Sequence, residues 1–231
     1  MNLLALDTST ENCSAALKTA AGLSFRRELA PRRHAELILD MVEEMLSERG
    51  LGLDELDGIA FGSGPGSFTG VRVAASAAQG LALGLGLRLA PVSSLEALAL
   101  EALEKGPEAY AAAAIDARMG EVYLAVYERA GDSLRELSGP EVLRPAAALR
   151  RIREVLGTAP AAGGGSGIDC LNAEETQKNL VKRSQFPDSA YIIKLGEKAF
   201  SRGLTLDPAA ALPLYVRNEV TWKKLTEQST G

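Results

Sequence analysis

The sequence predicts an α/β protein made of two related halves. Residues 3–17 have the pattern of a strand, a turn and a second strand, and the first strand ends in an acid; residues 110–128 repeat this pattern. Two segments with helical periodicity, 31–49 and 69–87, alternate with short apolar runs of the kind that form buried strands. Such alternation is typical of α/β folds.

Length and composition indicate a globular chain with a large core. The 231 residues carry a net charge of −5 without a block of Lys and Arg, so no basic footprint for nucleic acid is visible. Cys13 and Cys170 lie far apart, which gives no metal-site spacing and fits a reducing cytoplasm. The N-terminus lacks a basic signal-peptide region, and arginines interrupt the most apolar stretch, 69–91. We therefore expect a cytoplasmic protein without a membrane span.

The first half opens with three strands in an antiparallel meander, near Leu3–Asp7, Cys13–Leu17 and Leu23–Leu29. The first turn holds Asp7, Thr8 and Ser9 where the first strand ends. Asp7 either caps this turn, as Asp often does, or presents its carboxylate to a ligand or metal. The sequence leaves both interpretations open.

A helix is expected from Pro31 to about Arg49, because apolar residues recur there at steps of three and four and Gly50 follows. His34, the only histidine, lies in its first turn. A single histidine excludes a metal site built on imidazoles. It also leaves a Ser-His-Asp triad without the Gly-x-Ser-x-Gly segment that usually carries the nucleophile.

The chain is organised around the Gly/Pro-rich segment 62–72, between an apolar run and a long helix. Unpaired N–H groups at a helix N-terminus suit an anion. A Walker A loop would need a Lys that is absent, and a dinucleotide fingerprint would need Gly where Ser67 or Thr69 stands. The turn, with Gly64 and Gly66, therefore serves either close helix–strand packing or a ligand or partner.

The helix over 69–87 has a narrow polar stripe and is otherwise built of Ala, Val, Leu and Gly. A helix that is apolar nearly all round is buried in a core or an interface. Together with the 31–49 helix it carries more apolar surface than one core face needs. We expect both helices to form a helix-bundle interface through His34, Leu37, Met41, Met45, Arg72, Ala74, Ala78 and Leu81.

In the second half, Asp116 and Arg118 follow a buried strand, and they either pair with each other or face a cleft between the halves. Ser93 and Glu96 form a capping box that starts a helix to about Lys105. Further helices are expected over 145–156, 171–183 and 188–202.

The run Gly163–Gly167 is a flexible linker, a tight turn after an Ala-rich strand, or a chimeric junction.

Several segments together resemble the TsaB family, also called YeaZ. They are Leu4–Thr10, His34–Glu36, Gly64–Arg72, Asp116–Tyr123 and Tyr215–Asn218. The similarity is close over 1–130, returns at 200–224 and is weak at about 163–195.

The resemblance implies an actin/hexokinase-like (ASKHA) duplicated fold, in which each lobe has a mixed sheet flanked by helices. The lobes are expected at 1–105 and 106–231, with an irregular or inserted segment at about 163–195. It also implies a scaffold that binds and activates TsaD for threonylcarbamoylation of adenosine in tRNAs that read codons beginning with A. The resemblance further implies that TsaE joins the larger complex and that tRNA binds mainly through that complex. ATP or ADP is a candidate cofactor there, and the free chain is a candidate homodimer.

TsaD carries two metal-binding histidines, and Ser94 and Leu98 stand at the corresponding positions here. Neither side chain replaces imidazole, so the resemblance implies a non-catalytic relative without a metal. The rival hypothesis is a stand-alone nucleotide-dependent enzyme of the sugar-kinase type, with ATP-Mg between the lobes. The candidate cleft residues are Asp7, Thr8, Ser9, Gly64, Gly66, Asp116 and Arg118.

Overall fold

The computed structural model describes residues 1–171 and 179–217, which form two five-stranded sheets. The first sheet has the order β3-β2-β1-β4-β5. Its strands are β1 (Leu3–Asp7), β2 (Asn12–Thr19), β3 (Gly22–Leu29), β4 (Gly58–Gly64) and β5 (Leu89–Ser93). The meander of β1, β2 and β3 is antiparallel, whereas β1, β4 and β5 are parallel.

The second sheet repeats this plan in the order β10-β9-β6-β7-β8. Its strands are β6 (Tyr110–Arg118), β7 (Glu121–Ala130), β8 (Ser133–Leu143), β9 (Ala161–Gly164) and β10 (Leu180–Ser184). Again the first three strands are antiparallel, and β6, β9 and β10 are parallel. The predicted duplication is therefore confirmed.

In the described part of the chain, five α-helices pack with the two sheets. They are α1 (His34–Arg49), α2 (Phe68–Leu85), α3 (Ser94–Glu104), α4 (Pro145–Leu156) and α5 (Ser189–Ser201). Helices α1 and α2 cover the outer face of the first sheet, and α4 covers the outer face of the second. Helices α3 and α5 lie between the sheets, so the layers alternate helix, sheet, helix, sheet, helix.

The two central helices are exchanged between the halves. Helix α3 follows β5 of the first sheet, yet Leu98 and Leu103 pack against the second sheet. Helix α5 follows β10 of the second sheet, yet Ile192 and Ile193 pack against the first. The segment after α5 also returns to the first half, because Leu206 bridges to β5. The central helices thus join the two halves into one packing unit, and the lobe bounds 1–105 and 106–231 stay a prediction.

The starts of α1 and α3 are set by the residues immediately before each helix. Helix α1 begins at His34 and not at Pro31, because Arg32 has a φ of 73° and breaks the helical path. The predicted cap of α3 is confirmed, since the Ser93 side chain accepts a hydrogen bond from the Glu96 N–H at 3.4 Å.

Much of the described part of the segment at about 163–195 has regular secondary structure, with β9, a 3-10 helix, β10 and the start of α5. Gly163 and Gly164 belong to β9, a buried strand between β6 and β10, so the linker interpretation is wrong. A Cβ atom on Gly164 would lie 2.7 Å from the Leu98 carbonyl oxygen. Packing therefore requires glycine at position 164. Gly165 begins a tight turn after the strand, which was one of the predicted alternatives.

The helix predicted over 171–183 is also wrong in part. Residues 180–184, of which 180–183 were predicted to be helical, form the strand β10. Residues 172–178 of that prediction, and 218–222 of the predicted tail, lie outside the described residues. In the described ranges, no helix is long and apolar enough to cross a membrane.

Candidate functional site

The Gly/Pro-rich turn between β4 and α2 is packed closely against the turn that follows β1. The Ser67 N–H donates to the Ser9 carbonyl at 2.7 Å, and the Thr8 hydroxyl donates to the Gly70 carbonyl at 2.7 Å. A Cβ atom on Gly66 or Gly70 would collide with the backbone of Ser9 or Thr8. This motif therefore joins two loops of the same lobe, in agreement with the packing interpretation.

Asp7 lies beneath these loops and does not reach solvent. Its carboxylate is fully buried and accepts hydrogen bonds from the Ser9 N–H at 3.1 Å and the Ser9 hydroxyl at 3.0 Å. Burial raises the pKa of Asp7 to about 7, although the Ser9 hydrogen bonds oppose that shift. In this structure Asp7 caps the turn and its carboxyl group does not face the cleft.

A cleft of about 810 Å³ lies between the lobes at the carboxyl ends of several strands. Four of the seven predicted cleft residues line it: Ser9, Gly66, Asp116 and Arg118. The other three do not line it. Asp7 and Thr8 are buried, and the space beside the Gly64 α-carbon is taken by Leu214 and Val71.

Asp116 and Arg118 pair with each other and also face the cleft, so both alternatives that the sequence left open hold. Arg118 pairs with Asp116 at 3.1 Å and with Glu11 of the other lobe at 2.8 Å, and all three side chains lie at the cleft. This ion-pair group therefore bridges the lobes across the cleft.

The chain near residues 214–217 forms a wall of the cleft that periodicity did not indicate. The Leu214 N–H donates to the Ser63 carbonyl at 2.7 Å, and Arg217 donates to the Ala117 carbonyl at 3.2 Å and pairs with Glu121 at 2.5 Å. This segment ties the first lobe to the second. The Tyr-Val-Arg-Asn string of the family resemblance was its one sequence signal.

Among the described residues, the two carboxylates that line the cleft, Glu11 and Asp116, are both paired with Arg118. In the described ranges no group of three or more His, Cys, Asp or Glu could hold a metal ion. Asp7 is enclosed by Ser9, and Asp116 is paired with Arg118. Leu98 is a core residue beneath the second sheet, and Ser94 is buried beside it. Neither stands at an open site.

A second candidate surface is an apolar groove of about 440 Å³ between the outer faces of α1 and α2. Its lining residues are Ala35, Ile38, Leu39, Phe68, Thr69, Arg72, Val73, Ser76 and Ala77. Phe68 is 68% exposed and lies under the Arg72 guanidinium, 3.3 Å from the ring centre. Leu83, six residues beyond the last α2 residue of the groove, is 77% exposed.

The predicted interface residues are mostly on the wrong side of these helices. Five of them are buried in the chain's own fold: His34, Met41, Met45, Ala74 and Ala78. Leu37 and Leu81 are half-buried against the core of the first sheet, and only Arg72 lines the groove. Because α2 is apolar nearly all round, its sequence did not show which stripe faces the sheet.

Comparison with known proteins agrees with this fold. The family model of TsaD, a tRNA N6-adenosine threonylcarbamoyltransferase, matches residues 20–195. The tRNA threonylcarbamoyladenosine biosynthesis protein TsaB of Haemophilus influenzae is 40% identical, with 97% of each chain covered. TsaB of Escherichia coli is 38% identical and covers 97% of this chain and 98% of its own.

Among solved structures, YeaZ from Pseudomonas aeruginosa superposes with a TM-score of 0.83 at 37% identity. The match covers 93% of this chain and 99% of that one. The repeated sheet plan, the Gly/Pro-rich turn joined to the β1 loop, and these full-length similarities lead to one conclusion: the chain belongs to the TsaB (YeaZ) family, which has the duplicated actin/hexokinase-like fold.

Proposed function

We propose that this chain is the scaffold and activator subunit for tRNA threonylcarbamoyladenosine biosynthesis, and that it docks onto TsaD through the outer face of α1 and α2. The process is suggested by its full-length relatives, since those of Haemophilus influenzae and Escherichia coli are both tRNA threonylcarbamoyladenosine biosynthesis proteins TsaB. The sugar-kinase alternative gains no support from those names or from the cleft.

The observation that carries the docking surface is the glycine content of α2. A Cβ atom on Gly80 or Gly84 would meet nothing within 4 Å, so the fold of the chain itself does not require glycine there. Each glycine in a helix interior costs roughly 1 kcal/mol relative to alanine. With exposed Ser76 one turn earlier, they form a stripe of small residues, on which a partner helix could approach closely and offset that cost.

The similarity to TsaD favours that protein as the partner. The matching TsaD family model spans residues 20–195, a range that includes both α1 and α2. A paralogue with an equivalent helix pair would pack face to face in a four-helix bundle. A second copy of this chain would use the same surface, so the free protein is expected to form a homodimer that TsaD displaces. Within this proposal, TsaE, tRNA and ATP or ADP act in the larger cytoplasmic complex.

A substitution at the open stripe tests the surface. Gly80→Arg should keep the fold, because position 80 is exposed and arginine is a better helix former than glycine. It should weaken TsaD binding about tenfold or more, because a charge would be buried at the helix crossing. The measurement is TsaD affinity by calorimetry, with the mass of the free chain by light scattering.

Ala146→Arg is the matched control, since Ala146 is an exposed helix residue on α4 at the other side of the molecule. Ala78→Arg is unsuitable, because Ala78 lies in the core and the variant would misfold. Wild-type affinity of Gly80→Arg for TsaD would refute docking through α2.

Activity provides the second test. A reconstituted mixture of this chain, TsaD, TsaE and the enzyme that makes threonylcarbamoyl-adenylate should modify tRNA over many turnovers, and omission of TsaD should abolish turnover. Multiple turnovers without TsaD would place the chemistry in this chain and overturn the scaffold proposal.

A further inference from the structure

The groove between α1 and α2 holds a single charge. Of the nine residues that line it, Arg72 alone is ionisable, and no acid is among them. The Arg72 guanidinium lies on the Phe68 ring and donates to the Phe68 carbonyl at 3.4 Å, and it pairs with no carboxylate in the described part of the chain. The groove therefore offers an apolar surface with one cation whose charge the described residues leave unneutralised.

The outer face of α1 has the opposite charge. Its exposed acids are Glu36, Asp40, Glu43, Glu44 and Glu48. Glu36 and Glu48 form ion pairs within the chain, with Arg33 and Arg26. Glu43 pairs with no cation in the described ranges, and it lies four residues after Leu39, on the same stripe of the helix that lines the groove. A cation on a partner can therefore reach Glu43 beside the groove.

These charges decide which helices can cross when two copies meet. Contact of α1 with α1 would bring two acidic faces together, and like charges at a contact lower affinity. Helix α2, from Phe68 to Leu85, carries no acid and no charge other than Arg72. Only the crossing of α1 on one copy over α2 on the other sets an acid against a cation. In a two-fold dimer this contact is made twice.

We propose that a second copy of this chain docks with its α1 across α2, so that Glu43 of each copy pairs with Arg72 of the other. Leu39, which is 48% exposed, then enters the groove of the other copy, beside the exposed Phe68 ring. This inference rests on the docking face of the proposed function. It adds the arrangement of the helices in the free dimer and the charge pair that selects this arrangement.

Reversal of either charge tests the pair. Arg72→Glu and Glu43→Arg each create two contacts between like charges in the dimer. Each variant should therefore raise the dissociation constant of the dimer about tenfold or more. The measurement is sedimentation equilibrium of the full chain, with folding verified by circular dichroism.

Mixing the two variants gives the sharper result. In a mixed dimer the introduced glutamate faces the introduced arginine at one contact, and the native Arg72 and Glu43 meet at the other. An equimolar mixture should therefore form mixed dimers with nearly the affinity of the parent. The double variant Arg72→Glu/Glu43→Arg should also dimerise like the parent, because both of its contacts are reversed together.

Asp132→Arg is the matched control, since Asp132 is an exposed acid in the turn between β7 and β8. It should leave the dimer unchanged and should not restore association when it is mixed with Arg72→Glu. Dimers of parental affinity in either single reversal, a failure of both the mixture and the double variant to restore association, or a parent that is monomeric at every concentration would overturn the inference.

The TsaD measurement separates this failure from failure of the proposed function. If Gly80→Arg weakens TsaD binding while the charge reversals leave the dimer intact, the docking face stands and only the charge pair is wrong. If Gly80→Arg binds TsaD normally as well, the face itself is wrong.

Discussion

At the scale of single residues, Asp7 has a structural part in this fold. Its carboxylate is enclosed by the turn that it caps and accepts hydrogen bonds from the N–H and the hydroxyl of Ser9. A Cβ atom at Gly62 would collide with that carboxylate, so strand β4 requires a glycine at this position. Asp7 therefore holds the loop against β4 instead of facing the cleft.

Burial of Asp7 predicts a dependence of stability on pH. The folded chain keeps the Asp7 proton up to about pH 7, whereas the unfolded chain loses it near the ordinary value of 3.8. Between these values unfolding releases a proton, so the contribution of Asp7 to the free energy of unfolding falls as pH rises. Asp7→Asn removes this loss, and its stability relative to the parent should rise by roughly 2–4 kcal/mol from about pH 4 to pH 8.

Urea unfolding of both proteins at several pH values measures this difference. Asp40→Asn, at an exposed position on α1, is the control for loss of an acid. A difference between Asp7→Asn and the parent that stays constant with pH would show that Asp7 is ionised in the folded chain throughout.

At the scale of elements, α2 has two ends with opposite requirements for glycine. Gly70, in its first turn, faces the Thr8 backbone, whereas Gly80 and Gly84 face open space. The first end is fixed by packing within the lobe, and the second is free for a partner.

The same substitution at the two ends should therefore have opposite effects. Gly70→Ala should lower the free energy of unfolding by about 1–3 kcal/mol, because its methyl group collides with a backbone carbonyl. Gly80→Ala should raise it by about 0.5–1 kcal/mol, because alanine favours the helix and meets no neighbour. Denaturant unfolding of the pair decides the matter, and a loss of stability in both variants would contradict the open stripe.

At the scale of the whole molecule, the charge argues against direct binding of tRNA. The net charge is −5, and many of the described arginines and lysines are paired with acids. Nucleic-acid affinity depends chiefly on cations that neutralise phosphates. We expect the chain alone to bind tRNA no better than micromolar at physiological salt, with affinity that falls steeply as salt rises.

Filter binding of tRNA at several salt concentrations, with and without TsaD, measures this expectation. Submicromolar binding by the chain alone at physiological salt would indicate a basic surface that pairs of charges do not neutralise.

Much of the fold could be predicted from the sequence because its signals are local. Short apolar runs between turn residues marked the strands of the first meander, three- and four-residue steps marked α1, Pro145 marked the start of α4, and Ser93 marked the start of α3. The duplication was visible because each half opens with the same strand–turn–strand pattern. The Asp116–Arg118 pair could also be anticipated, since the two residues are neighbours in sequence.

The tertiary structure decided what depends on partners distant in sequence. The exchange of α3 and α5 between the sheets, and the buried stripe of α2 that includes Ala78, depend on contacts that no local pattern encodes. Gly163–Gly167 resembled a linker until the Leu98 backbone beside Gly164 showed why a side chain is excluded. Spacing along the chain thus determines where helices and strands form, whereas close packing across it decides which faces, carboxylates and glycines remain available for a partner.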